Sequence, residues 1–332
     1  MHSITRVIFI LVFLLINLGI SQEINNKVGT SGFQFLKIGI GCRDAALAGA
    51  SFSVSEGPAA MYWNPAGICF DNKFNLSFFY NSWIATIDHS FIGFTTPISV
   101  NDHIGLSLNY LTMDDMEETT IDEPLGTGRK FTAIDYAASL SYGRRITDRF
   151  STALTIKYIS EEIWDMKASG WAFDVGFTYK YSRLKIGMSF TNFGTDKEIS
   201  GAQLELEQQI FPDYQSDNVL LRLTPQKIRL PSLFRVGAGY EIFNHDVHKV
   251  LVLGDLVYYN DIGEKSNMGI EYSFFENYIL RGGYQFKRDG FNWSFGGGLK
   301  VYVGKTELII DYAAINTDDF NVRHQTGLTF RL

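Results

Sequence analysis

From about residue 74 almost to residue 332, apolar and polar side chains alternate with a period of two, and that pattern restricts this part of the chain to strands. Phe291, Trp293, Phe295, Gly297, Leu299, Val301 and Val303 share one face of such a run, with Asn292, Ser294, Gly296, Gly298, Lys300 and Tyr302 on the other. Trp171, Phe173, Val175, Phe177, Tyr179 and Tyr181 stand in the same way against Ala172, Asp174, Gly176, Thr178 and Lys180. About fourteen segments carry the pattern, near 74–80, 88–96, 102–112, 131–143, 149–160, 170–181, 184–192, 232–243, 249–259, 266–274, 277–287, 290–302, 305–314 and 322–332. An even number of strands, with lengths near the roughly 9–11 residues that cross a bilayer at a tilt, predicts an all-β, antiparallel transmembrane β-barrel.

Alternation alone leaves open which face is outside, since a soluble β-sandwich alternates with its apolar face inward. Three features favour the barrel. Aromatic residues make up 15% and charged residues 20% of the 332, and mean hydropathy is near zero, as expected when an apolar wall is averaged with a polar lumen. Tyr110, Tyr142, Tyr158, Tyr258 and Tyr284 fall near strand ends, where interfacial girdles form. The chain closes on a strand with His324, Thr326, Leu328, Phe330 and Leu332 on one face. On this reading Phe295 faces lipid and Gly296 the lumen, so Gly296 should accept a small polar side chain. The longest connections, near 113–130, 161–169 and 193–231, all follow odd-numbered strands, which makes that the outer side.

Ahead of the strands, residues 1–21 read as a secretory signal peptide: Arg6, an apolar run over 7–16, then small residues before Gln22. An uncleaved anchor is the alternative, and no cysteine stands at the cleavage point to carry a lipid. Residues 22–72 are rich in Gly and Ala, lack alternation and end in Trp63-Asn64-Pro65-Ala66-Gly67, which suits a plug or hatch inside a barrel formed by 73–332. Cys42 and Cys69 bracket this segment; one disulfide or two free thiols are both compatible with two cysteines.

The elements VGTSG, FLKIG, ALAGA and YWNPAG, in this order behind a signal peptide, resemble the N-terminal signature of the PorV/PorQ family of bacterial outer-membrane proteins. That family is similar to the FadL-type channels for hydrophobic compounds, which share the Asn-Pro-Ala turn. The resemblance implies an outer-membrane location and a role in type IX secretion, with secretion-system proteins or the C-terminal domains of cargo as partners. The wider relation implies the alternative, a channel for a hydrophobic small molecule. Cys42 and Asp44 stand where the family pattern leads one to expect smaller residues.

Candidate residues follow from these readings. Arg43 and Asp44 are charges in an otherwise small and apolar plug. They either clamp it to lumen charges (Lys157, Asp174, Arg235, Glu241, Asp255, Glu271, Arg281, Lys300, Glu307 and Asp311 have the right parity) or gate a path together with Trp63, Asn64 and Pro65. The glycines of Gly39-Ile40-Gly41 would let the plug approach the wall closely; without a third glycine or a βαβ unit they are no dinucleotide fingerprint. Phe211, Pro212, Tyr214, Leu220 and Leu221 in the longest outer loop have no barrel face to cover and mark a partner-binding surface. The acidic run Asp114, Asp115, Glu117, Glu118, Asp122 and Glu123 lacks EF-hand spacing and reads as a solvated surface rather than a calcium site. No catalytic motif and no cofactor motif is present, and a net charge of −7 with no basic stripe argues against nucleic acid as a partner.

Overall fold

The alternating segments form the wall of a closed barrel because each can give its apolar face to lipid while neighbours satisfy its backbone. The structure is a computed structural model; it describes residues 27–208, 219–245, 247–286, 291–317 and 322–332. The wall comprises β1 (Asn75–Ser82), β2 (Ile87–Pro97), β3 (Asp102–Met113), β4 (Ala133–Arg145), β5 (Phe150–Ile163), β6 (Met166–Tyr181) and β7 (Leu184–Phe193). It continues with β8 (Leu233–Asn244), β9 (His248–Tyr259), β10 (Gly263–Phe274), β11 (Tyr278–Phe286), β12 (Phe291–Val303), β13 (Thr306–Ile315) and β14 (Arg323–Arg331). Each strand pairs antiparallel with the next, and β14 returns to β1 in register from Asn75↔Arg331 to Asn81↔Gln325, closing a 14-stranded barrel.

The two faces separate as the alternation predicts. Phe295 is 57% exposed on the outer wall, as are Trp171, Phe173, Phe177 and Tyr179 among others, whereas Asp174 and Thr155 are fully buried inside. Among the described residues no helix is long and apolar enough to cross a membrane. The expectation for Gly296 fails. A Cβ there would lie 2.5 Å from the Cβ of Ala46 and against the backbone of Tyr312, so this position faces inward but has no room for any side chain.

The connections keep the predicted asymmetry, with one correction. The connections over 114–132 and 194–232 follow odd strands, while those after even strands are short. The expected long connection over 161–169 is instead a tight turn at Trp164 and Asp165 between β5 and β6, with Trp164 at φ 56°. Polar side chains there resemble a loop in sequence, but Ser160, Glu161, Glu162 and Lys167 continue the ladder as a hairpin. Two short strand pairs decorate the outer loops, Met116–Glu117 with Lys130–Phe131 and Glu205–Gln208 with Val219–Arg222. Ile199 and Ser200 pair with the outer end of β6.

Candidate functional site

Residues 33–70 lie within the barrel as a chain of short turns, because their small residues permit reversals that a bulkier sequence would block. A 3-10 turn (Gln34–Lys37) leads to α1 (Cys42–Ala46), which starts after Gly41 at φ 87° and ends before Ala48 and Gly49 at φ 53° and 82°. The second helix, α2 (Gly57–Trp63), has Pro58 in its first turn, where a missing N–H costs nothing. Asn64 then caps a 3-10 turn (Pro65–Phe70), its Oδ1 accepting the Ala66 N–H at 3.2 Å. Trp63 holds these turns together. Its Nε1 donates to the Ile40 carbonyl at 2.7 Å, and its ring fills the space left by Gly39 and Gly49. A Cβ at Gly41 would meet Asp44 and Ala59, so the glycines of Gly39-Ile40-Gly41 serve packing within the segment, not approach to the wall as the sequence suggested.

The wall makes room for the segment by giving up side chains. Gly105 of β3 faces Met61, Gly143 of β4 faces Cys69, and Gly176 of β6 faces Asn64 and Pro65. Gly187 of β7 faces Ser53, Gly237 of β8 faces Phe52, Gly269 of β10 and Gly283 of β11 face Leu47, and Gly327 of β14 faces Cys42. At most of these positions a Cβ would come within 3 Å of the segment. This lining was legible in the sequence only as glycine at lumen-parity positions, and strand periodicity gives no reason to single it out. Cys42 and Cys69 are buried free thiols against glycines of different strands, so the disulfide alternative falls away. Burial pushes the Cys69 thiol up to about 12, which keeps it unreactive.

Polar contacts complete the attachment. Arg43 makes a two-pronged ion pair with Glu271 of β10 (Nε 2.8 Å, Nη2 3.0 Å) and donates to the Val54 carbonyl at 3.0 Å. Glu271 also accepts from Arg281 of β11 at 2.8 Å, and Arg281 reaches Asp311 of β13 at 2.6 Å, so one network ties the segment to three strands. Asp44 takes no part in it. Its carboxylate is buried and accepts from Ser51 of the same segment, and burial raises it to about 6. Asp44 is therefore not the wall partner that strand parity predicts, because α1 turns its side chain inward toward Ser51. Glu56 pairs with Lys185 of β7 at 3.0 Å; burial works against its charge, but Lys185 prevails and holds it down at about 2. Asn64 donates to the Phe177 carbonyl at 3.1 Å and to Thr178 at 3.2 Å, and the Trp63 carbonyl accepts from Ser189 at 3.2 Å. Arg235 lies 4.8 Å from the Trp63 ring centroid.

Two cavities border the segment. The lower one, about 300 Å³, faces the side of the short turns and is lined by Arg43, Glu56, Lys185, Glu271, Arg281, Lys300 and Arg331 among others. The upper one, about 250 Å³, faces the outer loops and is lined by Lys37, Trp63, Trp83, Arg235, Tyr259, Lys265 and Arg323 with several amides. Of the predicted loop residues, Leu220 and Leu221 are exposed on the short strand Val219–Arg222, together with Val219 and Leu223. Phe211, Pro212 and Tyr214, like the signal segment 1–21, lie outside the described residues. The base of the loop belongs to the barrel mouth: Leu230 is buried beside Phe33, and Lys197 and Ile228 exchange backbone hydrogen bonds of 2.8 Å. The acidic run over 114–123 forms no metal cluster among the described residues, and Glu118 is held instead by Arg129 and Thr127.

Comparison with known proteins gives a consistent result. The family described as "Type IX secretion system protein PorV" matches residues 21–250. No curated protein sequence matches. Among solved structures, the Pseudomonas putida toluene transporter TodX superposes with a TM-score of 0.56 at 11% identity, covering 88% of this chain and 96% of its own. The CymD monoaromatic hydrocarbon channel gives 0.55 at 13% identity over 89% and 97%. A Pseudomonas aeruginosa FadL homologue gives 0.50 at 11% identity over 87% and 96%. At such identities these structures establish the shared fold alone.

Proposed function

The chain belongs to the PorV family of type IX secretion barrels in the Gram-negative outer membrane, and from that premise we propose that residues 33–70 are a fixed plug and that the outer loop over 194–232 is the working surface. The families it belongs to and resembles in fold are transport and secretion proteins rather than enzymes, and we assign this chain no catalytic role. The observation that carries the reading is the close fit between plug and wall. Glycine-lined contact on strand after strand, with Arg43 locked onto Glu271, suits a seal better than a gate. The lower cavity is lined by charged groups, and the upper one mixes cations and amides with the rings of Trp63, Trp83 and Tyr259, so neither is the continuous apolar path that a long hydrophobic ligand would need. The exposed Val219, Leu220, Leu221 and Leu223 project where secretion-system proteins or cargo C-terminal domains would dock. The second reading, a FadL-like channel for hydrophobic small molecules with Asn64-Pro65 as part of its gate, draws its support from the fold shared with hydrocarbon channels.

One experiment separates the two. In a background with Cys42 and Cys69 replaced, cysteines at Ala48 and at Gln285, which line the same cavity, are bridged by a short bifunctional thiol reagent. Separately, residues 205–222 are replaced by a short Gly-Ser turn; Leu223 donates to the Leu204 carbonyl at 2.8 Å, so the cut ends already meet and the mouth stays intact. Secretion should survive the bridge and fail on the excision, with heat-modifiable gel mobility showing that both proteins still form barrels. Secretion lost on bridging and retained on excision would leave the channel.

A further inference from the structure

We propose that the upper cavity is a binding site for a small carboxylate carried on an aromatic group. Charge pairing differs between the two sides of the plug. Around the lower cavity Arg43, Lys185, Lys249, Arg281, Lys300 and Arg331 each have a carboxylate within 4 Å, and the exception, Arg183, is exposed in a turn. Around the upper cavity, among the described residues, only Lys37 has one, through Asp261 at 2.5 Å. Arg235 has the buried Asp255 of the neighbouring strand as a countercharge behind the cavity wall. Among the described residues Lys265 and Arg323 have no carboxylate at ion-pair distance and no acidic residue lines the cavity; Asp261, already paired with Lys37, acts on Lys265 from farther away.

These two cations are placed on rings instead. The Arg323 guanidinium carbon lies 3.8 Å from the Trp83 ring centroid, and Lys265 Nζ lies 5.0 Å from that of Tyr259. The Arg323 Nε is buried and has no hydrogen-bond partner among the described residues. A guanidinium stacked by its face keeps its edge N–H groups for a planar, two-oxygen acceptor, the geometry in which Arg binds carboxylates best. Two cations facing one partly enclosed space have lost part of their hydration, and an entering anion offsets that loss. Trp63, Trp83 and Tyr259 supply the faces against which a flat apolar body packs, and about 250 Å³ is room for a single ring with its substituent rather than for a long chain. Inorganic phosphate would satisfy the charge and leave the rings uncovered. A neutral aromatic would do the reverse. An aromatic carboxylate satisfies both.

The test is isothermal titration of the purified, detergent-solubilised protein with sodium benzoate, benzyl alcohol and inorganic phosphate. Benzoate should bind saturably at one site, more weakly as salt rises, and at least about tenfold more tightly than either other probe. Arg323→Gln and Lys265→Gln should each weaken benzoate about tenfold or more, while Lys249→Gln at the lower cavity should leave it unchanged. Gel mobility before and after heating verifies that each variant is still a barrel. Benzyl alcohol or phosphate binding as tightly as benzoate in the unmutated protein overturns the proposal without recourse to any variant. So does the absence of saturable benzoate binding, or an affinity that neither substitution alters.

Discussion

Residues 33–70, which we propose as a plug, and the long outer loop are the two large departures from the barrel wall, and they treat their apolar residues in opposite ways. In the plug Phe33, Phe52, Met61 and Trp63 are all at most 6% exposed, whereas Val219, Leu220 and Leu223 on the loop are 43% exposed or more. Apolar content is therefore a poor guide to role here. What separates the regions is the surface opposite: a wall that has removed its side chains in one case, and no wall at all in the other. An apolar side chain enclosed by backbone supplies stability, and one left in water at the tip of a loop supplies little until a partner covers it.

The sharpest way to break this comparison is Glu271→Gln, which leaves Arg43 and Arg281 without their shared carboxylate. It should cost about 3–5 kcal/mol, read as a lower midpoint of heat modifiability. A loss no greater than that from a loop substitution would mean the plug is held by something else. The lipid face offers the next contrast. Phe295→Arg should cost about 2–4 kcal/mol in urea titrations of the reconstituted barrel. Leu220→Arg, equally exposed but in water, should lie within about 0.5 kcal/mol of the unmutated protein in the same assay.

Acidity sharpens the picture of the plug itself. Asp44 has a carboxyl raised from 3.8 to about 6 by burial, so the folded state prefers it protonated. Its contribution is full below pH 4 and is lost as pH rises through 6, a decline of about 3 kcal/mol at most. Asp44→Asn should abolish that decline when unfolding midpoints are followed from pH 4 to 8; an unchanged slope would place the titration elsewhere. The smallest expected effect is Lys227→Gln at the base of the loop. Its 3.4 Å pair with Glu198 joins two side chains that are both about two-thirds exposed, so stability should move by less than about 0.5 kcal/mol.

The wall was legible because its signal is repeated: every segment read from alternation became a strand, and boundary errors were confined to places such as 161–169, where polar side chains continue a hairpin. Within the plug legibility stopped at chemistry. That Arg43 needs a carboxylate is readable, and Glu271 was among the residues of correct parity. That Asp44 turns to Ser51 is not, because the direction of a side chain on a five-residue helix depends on where the reversals at Gly41 and Ala48 leave it. The upper cavity was wholly hidden. Trp83, Lys265 and Arg323 lie on three separate strands or their ends, and only barrel closure through β1 and β14 brings them together.

The glycines facing the plug carry a consequence for the order in which the molecule is made. Strand residues without side chains neither favour extended backbone nor fill a lumen, so a ring of them is slack until something occupies its centre. The seam between β1 and β14 can form only after the last residues of the chain arrive, by which time residues 33–70 have long been synthesised. Assembly should thus resemble wrapping more than threading: the wall gathers around a core already present and closes last. A chain lacking 33–70 should yield an irregular, collapsed ring in place of an open pore, and the membrane would be spared a hole at every intermediate stage.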